Sequence, residues 1–274
     1  MQFGLIGKTL KHSVSPQIHE CIYQELGLDG VHHYGLLEIE PEKLSETMVE
    51  LAGQYVGMNV TIPYKIAVMP MMKHISEEAV RIGAINTIKV CDDGLYGYNT
   101  DYSGFGRSLQ QAGIVPTGHT VAVLGTGGAA RAVIQYLLDQ RATAIAVVSR
   151  KPDQVCREDA FFAQAPLEMI SYDTLAQRPG TDILVNCTPV GMYPHTGVSP
   201  VPEAVAASCQ AVVDLIYNPG ETTFLQYGRR HGAVTLNGMY MLVSQAVASE
   251  EIWLGRSIPS QMVSRIVHKM EALV

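Results

Sequence analysis

The stretch HTVAVLGTGGAARAVIQYLLDQRATAIAVVSR, residues 119–150, decides the fold class of this chain. An apolar, β-prone run ends at Gly125, a glycine turn follows, and an amphipathic helical pattern leads into a second apolar run. Strand, turn, helix and strand fit within about thirty residues, which is the length of a βαβ unit. The stretch therefore predicts a parallel sheet with a crossover helix.

Strand-like and helix-like segments alternate on both sides of this stretch. Upstream, FGLIG, VHHYGLLEIE and YVGMNVTI read as strands, SPQIHECIYQELG and PEKLSETMVELAG as helices, and Asp93-Gly94 as a hairpin turn. Downstream, TDILVNCTP, CQAVVDLIYNP and GAVTLNG read as further strands. The alternation predicts two α/β domains facing each other across a cleft, with largely parallel sheets. We expect a substrate-binding domain at 1–102 plus 239–274 and a Rossmann-type dinucleotide-binding domain at 103–238.

Composition limits the class of protein. The chain has 274 residues, 47% of them hydrophobic, and a net charge of −7 without any block of Lys or Arg. Nucleic acid and anionic membranes are therefore poor partners. The five cysteines are scattered and never form a C-x-x-C pair, and no run of 18 apolar residues occurs. This pattern predicts a cytoplasmic protein, and it leaves monomer and homodimer open.

The glycine turn is the first candidate site. Gly125 to Ala130 has the form G-x-G-x-x-A, in which glycines allow a tight turn and a close approach of a pyrophosphate to a helix N-terminus. The predicted cofactor contacts there are Gly125, Thr126, Gly127, Gly128 and Ala129. A plain strand-to-helix turn can also be rich in glycine, but the flanking strand and helix patterns favour a dinucleotide site.

The end of the second strand indicates which dinucleotide binds. NAD sites usually carry Asp or Glu there, whereas this chain has Ser149, Arg150 and Lys151, which suit a 2′-phosphate. Arg131 is a further candidate for the same pocket. NADP is therefore the predicted cofactor. The nearby Asp153 leaves NAD open as the alternative cofactor. The alternative explanation for Arg150 and Lys151 is that they are solvated surface charges without a ligand.

Polar clusters in the first half form a second candidate site. They contain Ser13 and Ser15, Thr61 and Lys65, Asn86, and Asp101, each at the end of a predicted strand or in the loop after it. In open α/β sheets the ligand crevice lies outside the carboxyl ends of the strands, so these residues are expected to converge. Taken singly, each has a structural explanation as a helix cap or turn former.

The order and spacing of HSVSP, NVTIPYK, GAINT, NTDYSGF, VLGTGGAARA, NCTPVGM, DLIYNP and GMYMLVSQA…W resemble the shikimate dehydrogenase family, from about Gly7 to Gly255. The resemblance implies reversible NADPH-dependent reduction of 3-dehydroshikimate to shikimate, a step of chorismate and aromatic amino acid biosynthesis. It implies that Ser13 and Ser15 hold the substrate carboxylate. It implies that Thr61, Asn86 and Gln245 bind the ring hydroxyls and that Lys65 and Asp101 form the catalytic pair. Tyr217 is expected near both substrate and nicotinamide. Gly238 and Met241 are expected on the nicotinamide side.

Elementary chemistry agrees with that pair. An alcohol can lose hydride only if its hydroxyl proton also leaves, so the site needs an acid or base at that oxygen. We predict that Lys65 transfers the proton and that Asp101 orients it and binds the substrate hydroxyl. A purely structural ion pair is the alternative. Two other functions stay open: an NAD(P)-dependent quinate/shikimate dehydrogenase, and a non-catalytic dinucleotide- or shikimate-binding sensor.

The histidines suggest no metal site, because they form neither an H-x-x-x-H nor an H-x-E set. His12, His19, His32 and His33 are predicted to be surface or loop residues. The chain departs from the family pattern at Glu250, where an aromatic residue is common. It departs again at the second strand end, where SRK replaces the common NRT or NRS.

Overall fold

The computed structural model describes residues 1–11, 13–178 and 180–273, so the prediction for His12 lies outside the described residues. The described chain divides into two compact units. The first comprises Met1–Gly104 and Val243–Met270, and the second comprises Phe105–Leu242 with the residues from Glu271 onward.

Strands and helices alternate along the chain. The strands are β1 Gln2–Gly7, β2 His33–Glu38, β3 Gly57–Val60, β4 His74–Ile75, β5 Thr87–Cys91, β6 Gly94–Tyr98, β7 Thr120–Leu124, β8 Ala144–Val148, β9 Glu168–Ile170, β10 Ile183–Asn186, β11 Ala211–Asp214 and β12 Val234–Leu236. The α-helices are α1 Ser15–Leu26, α2 Leu44–Ala52, α3 Tyr64–Ala67, α4 Glu77–Ile82, α5 Thr100–Gln111, α6 Gly128–Asp139, α7 Pro152–Glu158, α8 Ala160–Gln164, α9 Tyr172–Gln177, α10 Glu203–Ala207, α11 Thr223–Arg230, α12 Met239–Leu254 and α13 Ser260–Glu271. Short 3₁₀ turns occupy Pro41–Lys43 and Met69–Met71.

Helix α1 shows how local sequence sets these bounds. A proline stands in its first turn, where the missing N–H group costs no intrahelical hydrogen bond. Ile18 and Ile22 lie one turn apart and are both completely buried. Gly27 ends the helix in the left-handed conformation, with φ of 67°, and its N–H group bonds to the carbonyl of Gln24.

The sheet of the first unit has the order β2-β1-β3-β5-β6-β4. Strands β1, β2 and β3 are parallel, whereas β5 runs antiparallel to both β3 and β6. The predicted hairpin at Asp93-Gly94 joins β5 to β6, and Gly94 adopts the positive φ that its turn requires. Because β5 is reversed, its amino end lies at the same sheet edge as the carboxyl ends of β3 and β6.

The sheet of the second unit is parallel throughout, with the order β12-β11-β10-β7-β8-β9. The chain proceeds from β7 outward to β9 and then returns to place β10 on the other side of β7. This reversal of strand order is the Rossmann-type switch point, outside which ligands bind. The predicted α/β fold class with parallel sheets is therefore confirmed.

Two of the histidines predicted to be surface or loop residues are buried, and of these His32 does lie in a loop, directly before β2. His19 is 1% exposed and His32 is 6% exposed, and both pack among the aromatic rings of the first unit. The ring of His19 stacks on Tyr34 with 3.8 Å between centroids, and its Nδ1 lies 2.7 Å from Oε1 of the buried Glu250. The prediction was wrong for His19, because this residue lies one turn after Ser15 on the inward face of α1. Its partner Glu250 is more than two hundred residues away in sequence.

Among residues 1–11, 13–178 and 180–273, no helix has both the length and the apolar character that crossing a bilayer requires.

Candidate active site

Three of the predicted polar residues lie at one edge of the first unit's sheet. Thr61 directly follows β3, and Asp101 lies in the first turn of α5, just after β6. Asn86 was expected after a strand but directly precedes β5. It reaches the same edge because β5 is antiparallel, and its carbonyl accepts a hydrogen bond from the N–H group of Val60 at 2.8 Å.

Lys65 and Asp101 form a close pair at this edge. Nζ of Lys65 donates to Oδ2 of Asp101 over 2.6 Å, and the two side chains are 18% and 12% exposed. Two hydrogen bonds, one from the residue before Lys65 and one to the backbone of Lys65 itself, fix the position of helix α3. The buried hydroxyl of Tyr64 donates to the carbonyl of Ile39, and the carbonyl of Lys65 accepts from the N–H group of Ile85 at 2.8 Å. The backbone that carries the amine is therefore fixed, while part of the Lys65–Asp101 pair stays accessible to solvent.

The amide of Asn86 connects to the same pair. Its Nδ2 donates to Oδ1 of Asp101 over 2.9 Å, so the two carboxylate oxygens bind one amine and one amide. Asn86 is only 3% exposed. The Nδ2 nitrogen carries two hydrogens, and the bond to Asp101 uses one of them. The second hydrogen is the one available for the predicted contact with a ring hydroxyl, which stays a prediction.

The two serines form a separate polar group at the start of α1. The hydroxyl of Ser13 donates to that of Ser15 over 3.1 Å, and the N–H group of Ser15 donates back to Ser13 Oγ over 3.3 Å. Both residues are half-buried. Hydroxyl and N–H donors at a helix N-terminus suit a carboxylate ligand. Gln245, also half-buried, lies on α12, and its carbonyl accepts a hydrogen bond from Ser249.

In the second unit, the glycine turn lies between β7 and α6, at the switch point of the sheet. Gly125 has φ of 98°, and a Cβ atom there would lie 2.9 Å from Cγ2 of Thr188. Gly127 is exposed with φ of −75°, and a Cβ atom there would project into open space with no atom within 4 Å. The turn thus offers bare backbone at the start of the twelve-residue α6, which fits the pyrophosphate of a dinucleotide. Thr126, Gly128 and Ala129 complete the predicted turn.

Ser149, Arg150 and Lys151 follow directly after β8, as predicted for the residues that meet the ribose. Arg150 and Lys151 are exposed, and the backbone N–H group of Lys151 donates to Oγ of Ser149 over 3.1 Å. Two accessible cations beside a hydroxyl fit a 2′-phosphate.

Arg131 has a partner that the sequence did not reveal. Its guanidinium pairs with the carboxylate of Asp159, the residue that caps α8. The guanidinium carbon also lies 5.3 Å from the ring centroid of Phe161 and 5.8 Å from that of Phe162. These contacts bind α6 to the segment after β8, so the arginine is engaged in packing within its own unit.

Sequence reasoning missed a buried polar group at the ends of β10 and β11. Asp214 is completely buried and accepts hydrogen bonds from Asn186 Nδ2 at 3.0 Å, from Thr222 Oγ1 at 2.7 Å and from the N–H group of Ile216 at 3.1 Å. Burial raises the pKa of Asp214 to about 6, although these three hydrogen bonds lower it. The signal available in the sequence was the position of Asn186 and Asp214 at two strand ends.

This polar group shapes the loops that carry the remaining predicted residues. Tyr217 follows β11 and is half-buried, and burial raises the pKa of its hydroxyl. Gly238 packs so closely on the loop after β11 that a Cβ atom would lie 2.0 Å from the carbonyl oxygen of Leu215. Met241 is buried one turn further along α12.

The comparisons with known proteins identify the family of this chain. A family model, the shikimate dehydrogenase substrate binding domain, matches residues 5–88. The shikimate dehydrogenase (NADP(+)) of Clostridium beijerinckii is 43% identical over 252 residues, which cover 92% of this chain and 91% of that protein. A chorismate mutase/shikimate 5-dehydrogenase fusion protein from Clostridium acetobutylicum is structurally similar, with a TM-score of 0.94 and 45% identity over 100% of this chain and 98% of that chain.

A third relative carries ligands. Shikimate 5-dehydrogenase from Thermus thermophilus, solved in complex with NADP(H) and shikimate, has a TM-score of 0.84 and 30% identity over 98% of this chain and 99% of that chain. Sequence identity above 40% over nearly the whole length, together with this structural similarity, establishes the relationship: the chain belongs to the shikimate dehydrogenase family.

Proposed function

We propose that this chain is an NADP-dependent shikimate dehydrogenase that interconverts 3-dehydroshikimate and shikimate in aromatic amino acid biosynthesis. The observation that carries the proposal is the 2.6 Å contact between Lys65 Nζ and Asp101 Oδ2, held at a sheet edge with Asn86. The names of the relatives support both the substrate and the cofactor.

The reaction removes a hydride from a carbinol carbon and a proton from its hydroxyl group. When bound, the nicotinamide supplies the hydride acceptor, or the hydride donor in the reverse direction. Lys65 takes the hydroxyl proton during oxidation and returns it during reduction. Asp101 accepts a hydrogen bond from the amine and one from a neighbouring hydroxyl group of the substrate, which fixes the orientation of the amine toward the substrate. The proton that the neutral amine gains makes it an ammonium group, whose charge the adjacent carboxylate of Asp101 balances.

We assign substrate binding to the first unit and NADP binding to the second. In the first, Ser13 and Ser15 bind the substrate carboxylate, and Thr61, Asn86 and Gln245 bind ring hydroxyls. In the second, the turn Gly125–Ala129 receives the pyrophosphate, and the three residues after β8 receive the 2′-phosphate. Tyr217 lies near both the substrate and the nicotinamide, and Gly238 and Met241 contact the nicotinamide side. The open backbone at Gly127 and the exposed cations support this division.

The test is a steady-state assay that follows NADPH absorbance with shikimate and NADP+, on the parent protein and on Lys65→Met. We expect kcat to fall at least about 100-fold, because general acid–base catalysis typically contributes that much or more. Lys73→Met is the matched control, since Lys73 Nζ lies 2.7 Å from Asp93 Oδ2 in an exposed pair of the same unit. It should leave kcat unchanged. A kcat for Lys65→Met within a few-fold of the parent, with the fold intact, would exclude Lys65 as the proton-transfer residue.

The same assay separates the two other functions. Turnover of quinate with NAD+ at a kcat/KM comparable to that for shikimate with NADP+ identifies a quinate/shikimate dehydrogenase. Binding of NADP+ without any oxidation of shikimate identifies a sensor.

We further infer that the protein works in the cytoplasm as a monomer or homodimer. The five cysteines are all free, which suits a reducing compartment. Light scattering on the purified chain measures its oligomeric state.

A further inference from the structure

Behind the catalytic pair lies a buried set of hydroxyl and amide groups that the proposed reaction does not use. Its centre is Thr87, the first residue of β5, which is completely buried. Oγ1 of Thr87 lies 3.0 Å from Asn86 Oδ1, 3.0 Å from Asn59 Nδ2 and 2.9 Å from Ser249 Oγ. We propose that Thr87 is a positioning residue for proton transfer: its hydroxyl fixes the amide of Asn86, which in turn holds Asp101 against Lys65. The inference rests on the proposed function and adds a residue to it.

The orientation of the Asn86 amide is the first step of the argument. An ionised carboxylate only accepts hydrogen bonds, so Asn86 must present its nitrogen, not its oxygen, to Asp101. The amide oxygen is held on the opposite side by donors. It accepts from the N–H group of Thr100 at 2.7 Å and from the hydroxyls of Thr87 at 3.0 Å and Thr100 at 3.2 Å. Flipping the amide would turn its NH₂ group toward these donors and its oxygen toward a carboxylate oxygen.

The hydrogen of the Thr87 hydroxyl is committed by its other neighbours. Asn59 Nδ2 is a donor only, and its amide is oriented by Tyr34, whose hydroxyl donates to Asn59 Oδ1 over 2.7 Å. Thr87 therefore accepts from Asn59. Ser249 donates its single hydrogen to the carbonyl of Gln245 and so does not donate to Thr87. The hydrogen of Thr87 goes to Asn86 Oδ1 over 3.0 Å. The Thr87 hydroxyl thus accepts from the oriented amide of Asn59 and donates to the amide of Asn86 beside the catalytic carboxylate.

A hydroxyl at this position is not required by the strand itself. Thr87 pairs with Asn59 and Tyr98 in the sheet register, and any β-branched residue would satisfy the backbone. Valine has nearly the same shape as threonine but neither accepts from Asn59 nor donates to Asn86. Serine keeps the hydroxyl and lacks the methyl group. Comparison of the valine and serine variants therefore separates the effect of the hydrogen bonds from the effect of packing.

The experiment compares kcat and KM of the parent, Thr87→Val and Thr87→Ser for shikimate oxidation at a temperature at which all three are folded. We expect Thr87→Val to lower kcat about tenfold and to leave KM for NADP+ within about twofold, while Thr87→Ser keeps kcat within about threefold of the parent. A kcat for Thr87→Val within threefold of the parent would overturn the inference. So would an equal loss in both variants, because that would assign the effect to packing.

If Thr87→Val does not fold, Thr87→Ala replaces it. Alanine and serine both lack the methyl group and differ only in the hydroxyl, so Thr87→Ala should have a kcat about tenfold below that of Thr87→Ser. Equal values would again overturn the inference.

A second measurement does not depend on turnover. In protein labelled with ¹⁵N-asparagine, the side-chain NH₂ signal of Asn86 is identified by its loss in Asn86→Asp. Its hydrogen exchange should be slow in the parent and in Thr87→Ser, and at least tenfold faster in the variant that lacks the hydroxyl. Equal exchange in all of them refutes the positioning role. A parent protein that fails to oxidise shikimate refutes the proposed function instead.

Discussion

Replacing Gly127 by alanine tests whether the glycine turn binds the dinucleotide or only connects a strand to a helix. Gly127 has φ of −75° and ψ of −180°, a conformation open to any residue, and no atom lies within 4 Å of the position of an added Cβ. Alanine is a poorer helix N-cap than glycine, but it also restricts the unfolded chain. These effects oppose each other, so we expect the free energy of unfolding to stay within about 1 kcal/mol of the parent.

The effect on NADP+ should be much larger. The methyl group would occupy the space through which a pyrophosphate approaches the first turn of α6. Losing one hydrogen bond to a charged group costs about 1.5–3 kcal/mol, and losing the interaction with the helix N-terminus costs about 0.3–1 kcal/mol. A combined loss of about 2–4 kcal/mol corresponds to a rise in the Kd of NADP+ of about 30- to 700-fold.

The assay is a titration of NADP+ by fluorescence or calorimetry, with thermal unfolding recorded in parallel. Gly35→Ala is the matched control. Gly35 lies in β2, its φ is not in the left-handed region, and an added Cβ would also meet no atom within 4 Å. The control should keep both NADP+ affinity and Tm. A Kd for Gly127→Ala within about threefold of the parent would refute the cofactor role of this turn.

Two further predictions concern buried acidic groups. The pKa of Asp214 is raised from 3.8 to about 6, so this carboxyl group holds its proton more tightly in the folded state. Its contribution to the free energy of unfolding should therefore decrease by up to about 3 kcal/mol as pH rises from about 4 to 6, and stay constant above that. The Tm of the parent relative to Asp214→Asn should fall over this pH range, and a difference independent of pH would contradict the assignment. His19→Leu should lower stability by about 3 kcal/mol because it leaves Glu250, at 0% exposure, without its partner. The double variant His19→Leu/Glu250→Leu should recover most of that loss in Tm, whereas a double variant no more stable than the single one would show that packing alone is involved.

The features of this chain that depend on neighbouring residues could be predicted from the sequence. The glycine turn lies between a strand and a helix, as its spacing indicated, because turn geometry and helix starts depend on a few adjacent residues. Strand ends were also predictable, since apolar runs stop where the backbone leaves the core. That is why Thr61, Lys65 and Asp101 were all found at one sheet edge. The family resemblance supplied the chemistry that these positions alone did not specify.

Only the tertiary structure decided which distant groups meet. Because β5 is antiparallel to β3, Asn86 at its amino end reaches the sheet edge that carries Lys65 and Asp101. No local sequence pattern revealed this reversal. Thr87 meets Ser249 across 162 positions, and His19 meets Glu250 across 231. In both cases the partner lies on α12, which packs against elements formed by the first hundred residues, β5 for Thr87 and α1 for His19. Hydrophobic period and turn chemistry are local properties, whereas the partner of a buried polar group is chosen by whichever side chain the packing brings within 3 Å. The sequence by itself therefore determined the fold class and the positions of the candidate site, and the packing of the folded chain determined the hydrogen bonds that orient it.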